Sequence, residues 1–215
     1  MAVRNASLPG CNETLGSVNW LAHVFLSEPD GEARLGQVLA DWVKGDARAQ
    51  FSARIQRGMA CHVTIDRFTD SHPIVTRSLA RIQSPFKRYA GVLVDVFYDH
   101  LLTCHWARYH AGTLRAFVDD VYTGFAAHLP LLPPRARTGF EHMIADDWLG
   151  SYGTIQGVEV LLRRISSRLS RANGLGEGAI ELLAHHDGFE KDFLEYFPQV
   201  QSHVRIWIAG HPITP

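Results

Sequence analysis

Cysteine is scarce in this chain. Cys11, Cys61 and Cys104 are the only three, they form no C-x-x-C pair, and an odd count closes no disulfide framework, so a stapled extracellular scaffold is excluded and a reducing cytoplasm is the expected setting. Long apolar runs are missing as well. No stretch approaches the roughly 20 residues needed to cross a bilayer, and the opening MAVRNASLPGCNETLGS has no apolar h-region for secretion. No membrane attachment is expected, and the N-E-T at Asn12 reads as chance. Neither sign of charge dominates: 21 Lys and Arg against 22 Asp and Glu leave a formal net charge of -1. That balance excludes a nucleic-acid binder working by bulk positive charge. Period-two strands with hairpin turns, internal repeats and low-complexity segments are absent too.

What remains is a chain of 215 residues, 46% of them hydrophobic, enough for one domain with a sizeable core. Residues 1–17 are small, polar and turn-forming and read as an N-terminal extension; the domain is expected over 18–208, with a short C-terminal tail at 209–215. Within it the apolar spacing is helical. VNWLAHVFLS, EARLGQVLADWVKGD, FSARIQRGMACHVTIDRFTDSH, KRYAGVLVDVFYDHLLTCHWARYH, TLRAFVDDVYTGFAAHL, RARTGFEHMIADDWLG, TIQGVEVLLRRISSRLS and FEKDFLEYFPQVQSHVRIWI each carry the pattern, bounded by Gly or Pro. The prediction is an all-α single-domain helical bundle. The GLGEG stretch, flanked by helical patterns on both sides, reads as an interhelix loop and not as a phosphate cradle.

The polar residues inside these apolar segments carry the chemistry. In DVFYDHLL, Asp95 and Asp99 are four apart on a helix whose neighbouring positions Val92, Leu102 and Trp106 are apolar. His62, Asp66 and Asp70 follow i, i+4, i+8 in CHVTIDRFTD, so their side-chain tips line one helix face. His23 and Asp41 sit singly among apolar neighbours. A buried ionised carboxylate costs several kcal/mol unless it is compensated, and convergence on a common cation explains all four segments at once. Mixed His and carboxylate ligands suit Mn²⁺, Fe²⁺ or Zn²⁺; a carboxylate-rich subset suits Mg²⁺ or Mn²⁺.

NWLAHVFLS, GQVLADWVKGD, CHVTIDRFTDSHP and DVFYDHLLTCHW, in this order, with WLGSY and LEYFP later, resemble the bacterial acyl-carrier-protein phosphodiesterases. The resemblance runs from Val18 into the last helix. It implies an HD-domain-like helical fold and a divalent metal, most often manganese. It also implies removal of 4′-phosphopantetheine from the serine of holo-acyl carrier protein, an acidic partner. The adjacent pair here is Asp99-His100, where HD enzymes have His-Asp. On this reading the expected metal ligands are His23, Asp41, His62, Asp66 and Asp99, with Mn²⁺ the expected ion and Mg²⁺ or Fe²⁺ as alternatives. Asp95 is expected to bind metal or to orient a ligand. Asp70 and His100 are candidates for proton transfer, and His100 reads equally as a core hydrogen-bonding residue. Nine basic residues between Lys44 and Arg88 face three acids, so Lys44, Arg54, Arg57 and Arg67 are the expected contacts to the carrier protein. Two other readings stay open from the residues: a metal phosphohydrolase of nucleotides, and a non-catalytic helical binding protein.

Overall fold

The computed structural model describes residues 19–169 and 173–212. The expected extension over 1–17 lies outside the described residues. Every described element is helical: α1 (Trp20–Leu26), α2 (Gly31–Leu39), α3 (Ala53–Asp70), α4 (Pro73–Arg81), α5 (Ala90–Cys104), α6 (Trp106–Tyr109), α7 (Leu114–His128), α8 (Pro134–Ala145), α9 (Trp148–Ser151), α10 (Ile155–Ser167), α11 (Ala179–Ala184) and α12 (His186–Gly210). The all-α expectation holds. Helices α4 and α11, which the sequence reading passed over, fill the intervals on either side of the segments it identified. The GLGEG stretch lies between α10 and α11 as a loop with one turn of 3-10 helix over Leu175–Glu177.

Local chemistry starts several of the longer helices. Asp30, Ser52, Thr113 and Thr154 each accept a backbone N–H from the first turn of α2, α3, α7 and α10, which satisfies donors that the helix itself cannot. Helix α5 forms the middle of the core: Leu93, Val96, Phe97, Leu101 and Leu102 are inaccessible to solvent. Helices α2 and α3 cross through glycines. A Cβ on Gly36 would stand 2.2 Å from the Ile55 carbonyl oxygen, and one on Gly58 would stand 2.2 Å from that of Ala33, so only this pair lets the two backbones meet. The crossing sets Gln37 of α2 beside Cys61 and His62 of α3.

The sequence pattern extends α2 to Gly45, but the helix stops at Leu39. Lys44 Nζ donates to the Ala40 carbonyl at 2.7 Å, and Arg48 donates to Ala40 and Val43. These side chains satisfy the carbonyls that a continued helix would have used, and the turn they hold carries Asp41 and Trp42.

A charged knot ties α4 and α5 to α12. Asp192, fully buried, accepts from Arg77 Nε at 2.6 Å, Ser78 Oγ at 2.8 Å and Arg81 Nε at 3.0 Å; Ser78 Oγ also meets the Tyr98 hydroxyl. Burial opposes the carboxylate, yet the bonds from Arg81, Ser78 and Arg77 hold its pKa below the ordinary value. A lowered carboxyl pKa adds stability that is complete above the unfolded value, about 4, and is lost as pH falls through the folded one. Asp192→Asn should therefore cost about 2 kcal/mol at neutral pH. Its stability should fall less steeply with decreasing pH than that of the parent, and an equal loss of unfolding free energy between pH 7 and pH 3 in denaturant melts of the two proteins would rule this out.

Candidate active site

Four of the expected residues meet at one place. His23 comes from the buried first helix, Asp41 from the turn after α2, and His62 and Asp66 from one face of α3. His23 Nε2 lies 3.2 Å from Asp66 Oδ1, and His62 Nε2 lies 3.1 Å from Asp66 Oδ2 and 3.5 Å from Asp41 Oδ1. The ligand atoms of His23, His62 and Asp66 fall within 4.8 Å of one another. Both imidazoles are buried, whereas the Asp66 side chain is 37% exposed, so the cluster has dry walls and an open mouth.

The protonation states that the protein imposes are informative. His23 Nδ1 is 3.2 Å from Gln37 Oε1, which is fully buried with its residue. A carbonyl oxygen only accepts, so Nδ1 carries the ring proton and Nε2 turns a lone pair, or a second proton, on Asp66. A lone pair against a carboxylate oxygen at that distance is repulsive without a cation between them. The two rings also stack at 4.2 Å between centroids, so a proton on each would set like charges face to face. His62 Nδ1 is buried and makes no hydrogen bond. Burial works against the His62 imidazolium, but hydrogen bonds to Asp41 and Asp66 prevail and raise its pKa to about 9. Burial likewise works against the Asp66 carboxylate, and the His23 and His62 hydrogen bonds hold it well below the usual carboxylate range.

Two neutral imidazoles with two carboxylates carry a charge of -2, which a single divalent cation balances without crowding two protons between stacked rings. The donor set of two nitrogens with carboxylate oxygens suits Mn²⁺, Fe²⁺ or Zn²⁺. The residues fit a divalent metal.

Asp95 and Asp70 border this cluster. Burial, followed by the charges of Asp66, Asp99, Asp70 and Asp41, pushes the Asp95 carboxyl well above its ordinary pKa. Burial and Asp66 raise that of Asp70, which stands at the exposed C-terminal end of α3.

Asp99 does something other than expected. Its two oxygens accept the backbone N–H groups of Leu21 and Ala22 at 2.9 and 2.8 Å, and the Tyr152 hydroxyl also reaches it. Helix α1 has no side-chain cap of its own and begins inside the core, where unpaired N–H groups are costly. Asp99 supplies that cap from α5. Burial pushes its carboxyl up to about 8 against the pull of these donors. His100 is likewise structural: Nδ1 donates to the Tyr152 carbonyl at 2.7 Å, and Nε2 faces Cys104 Sγ at 3.4 Å. These contacts match its core hydrogen-bonding alternative.

The residues expected to meet the carrier protein are mostly engaged within the chain. Arg57 pairs with Glu28 at 3.3 Å, donates to the Ile208 carbonyl, and is only 13% exposed. Arg54 reaches Asp30, and Lys44 holds the end of α2. Arg67, on an exposed turn of α3, is the one of the four without such a bond among the described residues.

Two contributors escaped the sequence reading. Gln37 fixes the tautomer of His23, and Trp20 Nε1 donates to Asp41 Oδ2 at 3.2 Å. The signals were present: Gln37 is the only polar side chain in the GQVLA run and lies one helical turn before Asp41, and Trp20 lies one turn before His23.

A family model described as acyl carrier protein phosphodiesterase matches residues 18–200. Relatives from Salmonella agona (strain SL483), Salmonella newport (strain SL254) and Salmonella heidelberg (strain SL476), each named acyl carrier protein phosphodiesterase, are 28% identical over 186 residues. The aligned region covers 86% of this chain and 96% of each relative. No solved structure matches.

Proposed function

Because the chain belongs to the acyl carrier protein phosphodiesterase family and is thus a hydrolase of a phosphodiester bond, we propose that His23, Asp41, His62 and Asp66 hold a divalent metal, manganese foremost, at which that bond is cleaved. The bond is the one joining 4′-phosphopantetheine to the serine of holo-acyl carrier protein, and the product is the apo form. The observation that carries the metal is the pair of stacked imidazoles whose Nε2 atoms converge on Asp66 with Gln37 forcing the His23 tautomer. When bound, such an ion neutralises a phosphoryl oxygen and lowers the pKa of a water. The protein does the rest. Gln37 and Trp20 orient His23 and Asp41, the buried rings keep bulk water from one side, and the partly exposed Asp66 marks the side from which the phosphodiester enters. Asp70, one turn beyond Asp66 at that mouth, is placed to deliver a proton to the departing serine oxygen. Among the described residues no helix is long and apolar enough to cross a membrane; a cytoplasmic setting belongs to the same proposal.

Incubation with holo-carrier protein and Mn²⁺, followed by intact-mass analysis, should show loss of the phosphopantetheine arm and its suppression by chelator. Turnover of free nucleotides with the carrier protein untouched would favour a nucleotide phosphohydrolase instead.

The role given to Gln37 has its own consequence. Gln37→Leu removes the acceptor at His23 Nδ1, and groups that orient a ligating histidine are worth about 10- to 100-fold in metal affinity. The Mn²⁺ dissociation constant should rise by about that factor, while Gln37→Glu, which keeps an acceptor oxygen, should hold it. Calorimetric titration of both variants checks this, and a Leu variant with parental affinity would remove Gln37 from the site.

A further inference from the structure

A second concave feature opens next to the carboxylate cluster. Trp42, adjacent in sequence to Asp41, lies across α8 where Gly139 leaves room for it: a Cβ at 139 would stand 2.2 Å from the indole Cη2. The indole forms one wall of an open cavity of about 440 Å³. Arg135, Thr138 and His142 line it from one face of α8, at spacings of three and four, and Arg168 reaches in from the end of α10. No Asp or Glu is among its described lining residues.

The cations here are in excess of their partners. Arg164 and Arg168 both lie over the Trp148 ring, at 4.9 and 5.0 Å, but among the described residues only Arg164 has a carboxylate, Asp146 at 3.1 Å. Burial and then the Arg164 charge depress the pKa of Arg168, as befits a cation without its counterion. Arg135 occupies the first turn of α8, a turn with no acidic residue, where the helix dipole disfavours positive charge. It enters no ion pair among the described residues.

Arg168 also links this cavity to the active site through a chain of aromatic contacts. Trp148, beneath the two arginines, stacks on Trp20 at 5.3 Å, and the Trp20 indole holds Asp41.

We propose that the Arg135–His142–Arg168 pocket receives carboxylate side chains of the protein substrate and docks the carrier beside its modified serine; this rests on the carrier-protein reading above. The cationic groups are exposed side chains around a wide mouth. That arrangement suits several carboxylates on a protein surface better than one enclosed phosphate, which calls for fixed donors on every side. It also moves the docking surface from Arg54 and Arg57, which pair with acids of this chain, to Arg135 and Arg168, which pair with none among the described residues.

The test pairs carrier-protein binding and turnover with hydrolysis of a small diester, bis(p-nitrophenyl) phosphate. In an Arg135→Glu, Arg168→Glu double variant, Kd and KM for the carrier protein should rise about tenfold or more with a weaker salt dependence. Turnover of the small diester should stay within about twofold. Arg135→Glu alone, which leaves the Trp148 stack intact, should show the same pattern in smaller measure even if the double variant is unstable. Parental carrier affinity in the single and double variants would overturn the pocket and leave the carrier-protein reading standing. If the parent protein neither binds nor hydrolyses holo-carrier protein while cleaving the small diester, the substrate reading falls and the docking role falls with it.

Discussion

Asp66→Asn should abolish metal binding and reduce turnover by about three orders of magnitude, or ~4 kcal/mol of transition-state stabilisation. Asp66 is the one side chain that both imidazoles face, one on each oxygen. Its carboxylate is held well below the usual range by those same contacts. An amide in its place keeps the shape but removes a negative charge, and its N–H₂ has no lone pair for a metal, so one of the two oxygens that the imidazoles face is lost as a ligand. In the parent, Mn²⁺ at about 100 times its dissociation constant should stabilise the fold by ~2.7 kcal/mol through linkage; in the variant that increment should vanish. Thermal unfolding with and without Mn²⁺, together with metal analysis after dialysis, measures both effects. A variant that keeps its metal-dependent shift would exclude Asp66 from the ligand set.

Asp99→Asn should behave differently, with a loss of about 3 kcal/mol in chelator. Two buried N–H donors and a hydroxyl end on its carboxyl. A carboxyl group offers acceptor capacity on both oxygens whether or not it carries a proton, but a carboxamide nitrogen offers none. One α1 N–H would face an N–H₂, and each buried donor so stranded costs about 1 to 3 kcal/mol. His23 follows Ala22 directly, so a displaced first turn of α1 should also cost about tenfold in turnover. Saturating Mn²⁺ should still load one site. Denaturant melts of the chelated protein decide the question: an unchanged midpoint together with loss of metal stoichiometry would return Asp99 to the ligands.

The contrast between these two aspartates shows what the sequence could convey. Helical periodicity made the longer helices legible because each buries one apolar stripe. It lost α4, whose PIVTRSLAR begins at the proline that seemed only to end α3, and α11, a six-residue helix too short for its period to register. The end of α2 was misplaced because its apolar pattern runs on through Trp42, while the contacts that stop it are hydrogen bonds from the Lys44 and Arg48 side chains to nearby carbonyls, which apolar periodicity does not register.

For the site, the apolar context around His23, Asp41, His62 and Asp66 was a sound signal, since groups of that kind need partners, and they partner one another. The same signal is ambiguous at Asp99, because a buried carboxylate can be compensated by backbone N–H groups as well as by a metal, and the Leu21 and Ala22 N–H groups meet this one. Which of the two occurs depends on where α1 begins relative to α5, and spacing within α5 carries no information about that. Spacing left both readings of His100 open for the same reason, its partner being the Tyr152 carbonyl 52 residues away. Arg57 could not be read as buried because its partners, Glu28 and the Ile208 carbonyl, come from elements distant in sequence.

Crystals grown with Mn²⁺, measured at the manganese absorption edge, give the most direct test of the metal centre. The stacked-imidazole geometry predicts an anomalous peak bound by His23 Nε2, His62 Nε2 and Asp66, with Asp41 in reach and Asp99 still seated on the Leu21 and Ala22 N–H groups. A protein that hydrolyses holo-carrier protein with the peak elsewhere, or with no peak and undiminished activity in chelator, would contradict it.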